Sequence, residues 1–104
     1  MSNLSHCVYF TLNDNSDTKV ESLIAAGERY LKPHDGIVYY SMGRRHPEMQ
    51  REVNDQTFDV SLIVVFDTQA SHDAYQVSDP HAEFIADQKA NWKQVRVFDA
   101  SVMS

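Results

Sequence analysis

Cysteine and glycine are both scarce in this chain, and their scarcity excludes several classes of protein. Cys7 is the one cysteine in 104 residues, so the chain cannot form an internal disulfide, and nothing indicates an oxidising compartment. Its apolar neighbours favour a small packed side chain over a reactive thiol. The three glycines, Gly27, Gly36 and Gly43, match no phosphate-binding loop, and we expect no cofactor.

Positive charge is scarce as well. Nine lysines and arginines stand against 15 aspartates and glutamates, which gives a formal net charge of −6. Nucleic acids and anionic membranes are bound by clustered basic residues, so we expect neither as a partner. The basic pair Arg44–Arg45 could clamp a carboxylate at a pocket mouth, but solvated charges at a strand end are the favoured interpretation.

No segment has the length and apolar character of a membrane helix. The longest aliphatic run, LIVVF, is far shorter than the ~20 residues that such a helix needs. The segment MSNLSHCVYFTL lacks the basic start and long apolar run of a signal peptide. We therefore expect a cytoplasmic protein that folds as one domain over residues 1–104.

Alternating and helical patterns of apolar residues predict four strands and three helices. The predicted strands are residues 4–12, 36–43, 58–67 and 92–100. Helical spacing predicts a helix that ends before Pro33, a short helix that ends at Tyr75, and another that begins at Asp79. Residues 44–57 are polar and predict a long loop. With the two short helices counted as one segment, the order is β-α-β-β-α-β, the ferredoxin-like α+β arrangement, with a four-stranded antiparallel sheet and helices on one face.

The helix starts are predicted from capping residues. Thr18 and Glu21 have the spacing of a capping box, with Ser16 and Asp17 as alternative caps for the first helix. For the last helix, Asp79 is the predicted N-cap, because a proline at the first helical position follows it.

The third strand is apolar on both faces. One face carries Phe58, Val60, Leu62, Val64 and Phe66. The other face carries Ile63 and Val65, so the strand is predicted to be buried on both sides. Helices on one face leave the other uncovered, and the simplest cover is the same sheet of a second subunit. We therefore expect a two-fold homodimer that forms through the sheet face and has a barrel-like interior.

Tyr75 and His81 are the candidate catalytic residues. They lie on either side of the break at Pro80, which would let both side chains converge on one cavity. The positive end of a helix dipole near His81 would favour the neutral imidazole, which is the form that accepts a proton. His81 would then act as general base, and Tyr75 as donor to a substrate carbonyl or enolate. The alternative is a packed tyrosine ring and a surface histidine.

The other histidines carry less information. His6 shares its strand face with Val8 and Phe10, where a histidine is more often a hydrogen-bonded core residue than a catalyst. The remaining three, His34, His46 and His72, are predicted in turns or on an exposed helix face. No metal-binding spacing occurs among them, and we expect no metal site.

Five motifs together resemble the stress-responsive A/B barrel (Dabb) family of dimeric α+β barrels. They are HCVYF at 6–10, GIVYYSMGR at 36–44, FDVSLIVVFDTQASHDAY at 58–75, DPHAEF at 79–84 and VRVFDA at 95–100. The resemblance covers nearly the whole chain and implies a ferredoxin-like fold and a homodimer. The family is functionally mixed, and many members are known only as stress-associated proteins.

One branch of this family, that of olivetolic acid cyclase, implies a site. That cofactor-free enzyme relies on a tyrosine and a histidine at the spacing of Tyr75 and His81, and it also has a histidine near the start of its first strand, where this chain has His6. Its apolar pocket walls would fall on Val8, Phe10, Leu62, Phe84 and Trp92. The chain departs from the cyclase at Val60, where the cyclase has a histidine, and at Gly27, where it has a tyrosine.

The expected function is therefore that of a small homodimer with an apolar pocket for a small organic ligand. Turnover there would be cofactor-free acid–base chemistry of the cyclase or isomerase type. One alternative is a non-catalytic stress-associated protein that functions through its dimer or larger assembly. A second alternative is a cofactor-free monooxygenase of the same superfamily.

Overall fold

Four antiparallel strands form one sheet, and three helices pack on one of its faces. The computed structural model describes residues 2–103. In chain order the elements are β1 (Ser2–Leu12), α1 (Asp17–Tyr30), β2 (Ile37–Arg44), β3 (Val60–Phe66), α2 (Gln69–Gln76), α3 (Asp79–Gln88), a short 3₁₀ turn (Lys89–Asn91) and β4 (Trp92–Met103). The ferredoxin-like α+β class is confirmed. Within the described residues, no helix combines the length and apolarity needed to cross a membrane.

The strand order β2-β3-β1-β4 places β1 inside the sheet, between β3 and β4. Its register sets His6 opposite Val64 of β3 on one side and Asp99 of β4 on the other. Directly opposed residues of neighbouring strands lie on the same face of the sheet. Pairing with β4 therefore brings a carboxylate beside a histidine that lies far away in the sequence.

Residues that alternate along β1 and β3 form the helix-facing core. The buried members of this face are His6, Val8, Phe10, Leu12, Val60, Leu62, Val64 and Phe66. The apolar stripe of α1, which includes Val20, Leu23 and Gly27, packs against them. These positions are the ones that strand and helix periodicity predict, because burial on one face determines both patterns.

Phe58 is an exception to the predicted strand face. The backbone bends at Asp59, whose N–H donates to the Phe10 carbonyl over 2.7 Å, and β3 begins one residue later. The ring of Phe58 lies 5.0 Å from that of Tyr9, whose side chain points to the other face of the sheet. The prediction that Phe58 shares a face with Val60 is therefore wrong.

The start of α1 also differs from the capping-box prediction. Ser16 is the N-cap, so Thr18 lies inside the first turn and forms no capping box with Glu21. The Ser16 N–H donates to the Asp14 carboxylate over 3.0 Å, which fixes the chain just before the helix. Ser16 was among the alternative caps.

The two short helices have side-chain caps. Thr68 caps α2 by accepting a hydrogen bond from the Ser71 N–H over 3.1 Å. Ser78 caps α3 by accepting from the His81 N–H over 3.3 Å. The prediction of Asp79 as N-cap is wrong by one residue, because a serine hydroxyl was available one position earlier.

The face of the sheet opposite the helices carries apolar side chains that this chain does not cover. Ile63 and Val65 are half-buried there, while Tyr39 and Phe98 are 54% and 50% exposed. Apolar patches of this kind mark interaction surfaces. The outer face is thus the surface on which the homodimer prediction depends.

Close packing of α1 against β2 depends on the missing side chain at Gly27. A Cβ atom at that position would collide with the Tyr40 hydroxyl and the Met42 sulfur. By contrast, a Cβ atom at Gly43 would meet no heavy atom within 4 Å.

We expect Gly27→Ala to lower the free energy of unfolding by about 1–3 kcal/mol, because overpacking outweighs the gain in helix propensity. Gly43→Ala is the matched control and should be neutral or slightly stabilising. Urea denaturation of both variants measures the difference. A stabilised Gly27→Ala protein would show that the ends of the Tyr40 and Met42 side chains move aside at little cost.

Candidate functional site

A cavity of about 380 Å³ lies between the two short helices and the β1–β4 half of the sheet. Its walls include all the residues predicted for the site, namely Tyr75, His81, His6, Val8, Phe10, Leu62, Phe84 and Trp92. Val95 and Val97 of β4 lie on the helix-facing side but are 39% and 51% exposed. The cavity is therefore accessible alongside β4.

Three aromatic rings form the apolar wall. The Trp92 ring centroid lies 5.0 Å from that of Phe10 and 5.7 Å from that of Phe84, and the two phenylalanine rings lie 6.3 Å apart. Trp92 opens β4, lines the cavity and also contacts the core. Its buried indole N–H has no hydrogen-bonding partner among the described residues.

Tyr75 and His81 come together where α2 ends and α3 begins. Their ring centroids lie 5.0 Å apart, with the ring planes 70° from each other. Ser78 holds this turn, because its hydroxyl donates to the Tyr75 carbonyl over 2.9 Å and accepts from the His81 N–H. One serine thus fixes the backbone at both candidate residues.

His81 is electrostatically suited to remain neutral. Burial lowers its pKa below the ordinary value of 6.5, and the charges of His6, His34 and His72 lower it further. The lowered pKa agrees with the predicted neutral imidazole. Its main cause is desolvation, whereas the prediction relied on the helix dipole.

The Tyr75 hydroxyl is buried without a partner. The side chain is 1% exposed, and its oxygen forms no hydrogen bond with the residues that the structure describes. Burial raises its pKa well above the usual range, and the nearby hydroxyl of Tyr40 adds to the effect. The phenol therefore stays protonated and can act only as a hydrogen-bond donor or acceptor.

His6 is held by a carboxylate, that of Asp99, which was not among the predicted site residues. Its Nδ1 lies 2.6 Å from the Asp99 carboxylate, and the ring is almost fully buried. With the proton on Nδ1, the Nε2 lone pair faces the Gln76 amide nitrogen, 3.4 Å away. Asp99 follows Val95 and Val97 on the same face of β4. A charged residue among apolar residues on that face was the sequence feature that could have identified it.

His72 also belongs to the cavity, contrary to the prediction of an exposed helix face. Its side chain is 16% exposed, and its ring lies 5.2 Å from that of His6. Helical spacing of three and four residues places His72, Tyr75 and Gln76 on one side of α2. That spacing was the missed signal. His34 is similarly drawn inward, with its ring 5.4 Å from that of Tyr75.

At the two positions where the chain departs from the cyclase branch, Val60 and Gly27, packed side chains leave no open space. Val60 is fully buried in the core. Beside Gly27, the space is occupied by Tyr40, whose hydroxyl approaches the Met42 sulfur at 3.6 Å. A phenol from β2 thus stands where α1 lacks a side chain.

The arginine pair is engaged elsewhere. Arg44 forms an ion pair with Asp17 over 3.0 Å, and the Arg45 Nε donates to the Phe58 carbonyl over 3.1 Å. Both line a separate recess that includes Asp59. Both arginines therefore form surface or loop-anchoring contacts. This agrees with the favoured interpretation of strand-end charges and not with a carboxylate clamp at the cavity.

Solved structures share this fold at low sequence identity. A dimeric ferredoxin-like protein of unknown function from Thermobifida fusca has a TM-score of 0.79 at 17% identity, covering 97% of this chain and 92% of its own. A Dabb family protein with a ferredoxin-like fold from Mesorhizobium loti has a TM-score of 0.80 at 16% identity, with both chains fully covered. The hydroxynitrile lyase from Passiflora edulis has a TM-score of 0.77 at 15% identity, covering 98% of this chain and 94% of its own.

Sequence comparison gives the family directly. No curated protein matches the chain in sequence. The family model described as Stress responsive A/B Barrel Domain matches residues 4–102, which include the three helices and all but the outer ends of β1 and β4. The chain therefore belongs to the stress responsive A/B barrel domain family.

Proposed function

We propose that this protein binds a small organic ligand in the cavity and transforms it by acid–base chemistry, with His81 as general base. The observation that carries the proposal is the contact between a half-buried imidazole with a lowered pKa and a buried phenol whose hydroxyl has no partner. Perturbed ionisable groups in an apolar cavity are the usual features of a catalytic site.

The shape of the cavity favours a ligand with a planar apolar part and an oxygen function at one end. The rings of Phe10, Phe84 and Trp92 would pack against the apolar part. His6 and His81 would face the oxygen function at the other end. A cavity of about 380 Å³ accommodates a ligand of modest size.

In the proposed reaction His81 takes a proton from a carbon beside a carbonyl. The electron pair of the broken C–H bond moves to the carbonyl oxygen, and Tyr75 donates a hydrogen bond to the resulting enolate. Each role contributes a rate factor of roughly 10²–10⁴. Because the Tyr75 hydroxyl is sealed in the free chain, ligand binding has to open a path to it. The fold of the hydroxynitrile lyase from Passiflora edulis supports the view that this scaffold carries catalysis.

We also propose that two copies of the chain associate through the outer face of the sheet. The apolar side chains Ile63, Val65 and Phe98 support this interface, as does the dimeric description of the Thermobifida fusca protein. We continue to expect that this acidic chain is located in the cytoplasm.

Replacing Tyr75 by phenylalanine separates structure from function. We expect Tyr75→Phe to raise the free energy of unfolding of the free protein by about 1 kcal/mol, because a buried hydroxyl without a partner is removed. The same variant should lose the thermal shift that wild type shows with phenolic acids, β-keto acids or quinols. Tyr30→Phe, which removes a hydroxyl on α1 away from both the cavity lining and the outer face of the sheet, is the matched control and should change neither quantity.

Two results would contradict the proposed site. One is a Tyr75→Phe protein that is destabilised yet keeps every ligand shift, which would make the hydroxyl structural. The other is a His81→Ala protein that binds each ligand as wild type does. His46→Ala, which removes an exposed loop histidine, controls for general effects of losing an imidazole.

The pH dependence of proton abstraction should report the lowered pKa of His81. Four groups face this imidazole, namely Tyr75, His6, His34 and His72. Because burial disfavours the imidazolium, the neutral base persists below pH 6.5 and is lost only on further acidification. Deuterium exchange into a β-keto acid, followed by NMR against pH, measures this. A midpoint above the ordinary value would contradict the role of His81.

Polar substitution on the outer face should separate the subunits. We expect Val65→Asp to convert a dimer into a folded monomer, since a buried unpaired carboxylate at an interface is costly. Val77→Asp, at an 84% exposed position between α2 and α3, should remain dimeric. Light scattering after size-exclusion chromatography gives both masses. A Val65→Asp protein with the wild-type mass would exclude this face as the interface.

A further inference from the structure

The side chains of His6, His72 and Asp99 form a polar cluster at one end of the cavity. The proposed reaction gives no role to His72 or Asp99. A nitrogen of His6, a nitrogen of His72 and a carboxylate oxygen of Asp99 all lie within 4.8 Å of one another. The residues come from β1, α2 and β4, so only the tertiary fold assembles them. Imidazole and carboxylate are ligands that divalent transition metals prefer.

The hydrogen bonds of both imidazoles orient them as metal ligands are oriented. His6 Nδ1 lies 2.6 Å from the Asp99 carboxylate, and His72 Nδ1 lies 3.0 Å from that of Asp73. Metal-binding histidines commonly donate their second ring N–H to a carboxylate in this way. A proton on each Nδ1 leaves a lone pair on each Nε2.

Those two lone pairs are directed at one place. The amide nitrogen of Gln76 lies 3.4 Å from His6 Nε2 and 3.4 Å from His72 Nε2. Rotation of that amide would present its oxygen instead of its nitrogen. A cation between the rings would then have two nitrogen ligands and one oxygen ligand, with the Asp99 carboxylate close enough to offset its charge.

We propose that His6, His72 and Gln76 bind a divalent transition metal such as Zn²⁺ or Co²⁺, with Asp99 and Asp73 orienting the two imidazoles. The remaining coordination positions would face the cavity. This inference goes beyond the proposed acid–base function and does not rest on it, because neither Tyr75 nor His81 is a ligand. A bound cation would occupy the Nε2 lone pair of His6 and exclude that ring from contact with an organic ligand.

The test uses metal alone. Chelator-stripped full-length protein is titrated with Zn²⁺ by calorimetry, and Co²⁺ binding is followed by its visible absorption. We expect one metal per chain in wild type and loss of that binding in His72→Ala. Asp99→Asn should weaken affinity about 10–100-fold, as loss of an orienting carboxylate does. Gln76→Glu should tighten affinity, since it replaces the amide by a charged ligand.

Two control variants remove other metal-binding groups. His46→Ala removes a loop histidine, and Cys7→Ser removes a thiol on the other face of the sheet, so both should bind as wild type does. Equal affinity of wild type and His72→Ala would overturn the proposal and indicate adventitious binding. So would an absence of Zn²⁺ binding in wild type together with no gain in Gln76→Glu. Because no organic ligand is present, these outcomes are independent of the ligand-binding test.

Discussion

The arrangement of the cavity depends on the burial of one phenol ring. Tyr75 packs against Phe66 of the sheet and is surrounded by the rings of His6, His34 and His81, all with centroids within 5.9 Å of its own. To keep that ring inside, α2 has to end beside it and α3 has to begin after a tight turn. The same packing gathers imidazoles around the ring, so polar chemistry concentrates at one end of an otherwise apolar space.

Imidazoles give this polar end two capacities. The chain is acidic overall, with a net charge of −6, yet the ionisable rings that pack around Tyr75 are those of three histidines. Burial and mutual repulsion keep His81 uncharged, which leaves its lone pair available for a proton. On the other side of the ring, His6 and His72 direct lone pairs at Gln76, where a metal ion could take the place of an amide hydrogen. Proton transfer and metal binding thus draw on different histidines of one cluster.

Periodicity predicts this fold well because burial on one face fixes the strand and helix patterns together. The core face of β3 and the stripe of α1 follow from spacing alone, and Tyr75 and His81 come together on either side of Pro80 as the sequence predicts. Spacing shows the strand face of Asp99 and the helix side of His72, but strand register and helix docking, which set both residues beside His6, are not encoded in any local pattern. The cap positions shifted because neighbouring serine, threonine and aspartate residues compete for the same role.

Measuring the protonation state of the histidine rings with and without ligand tests the proposed ligand site most directly. Long-range ¹H–¹⁵N spectra of histidine-labelled protein distinguish the two neutral tautomers from the imidazolium. We expect a neutral His81 at pH 7, a His6 signal that reflects its Nδ1 contact with Asp99, and a change in both when a phenolic or β-keto acid is added, with exposed His46 unaffected. Unchanged signals from His6 and His81 at saturating concentrations of these acids would contradict a ligand site in this cavity.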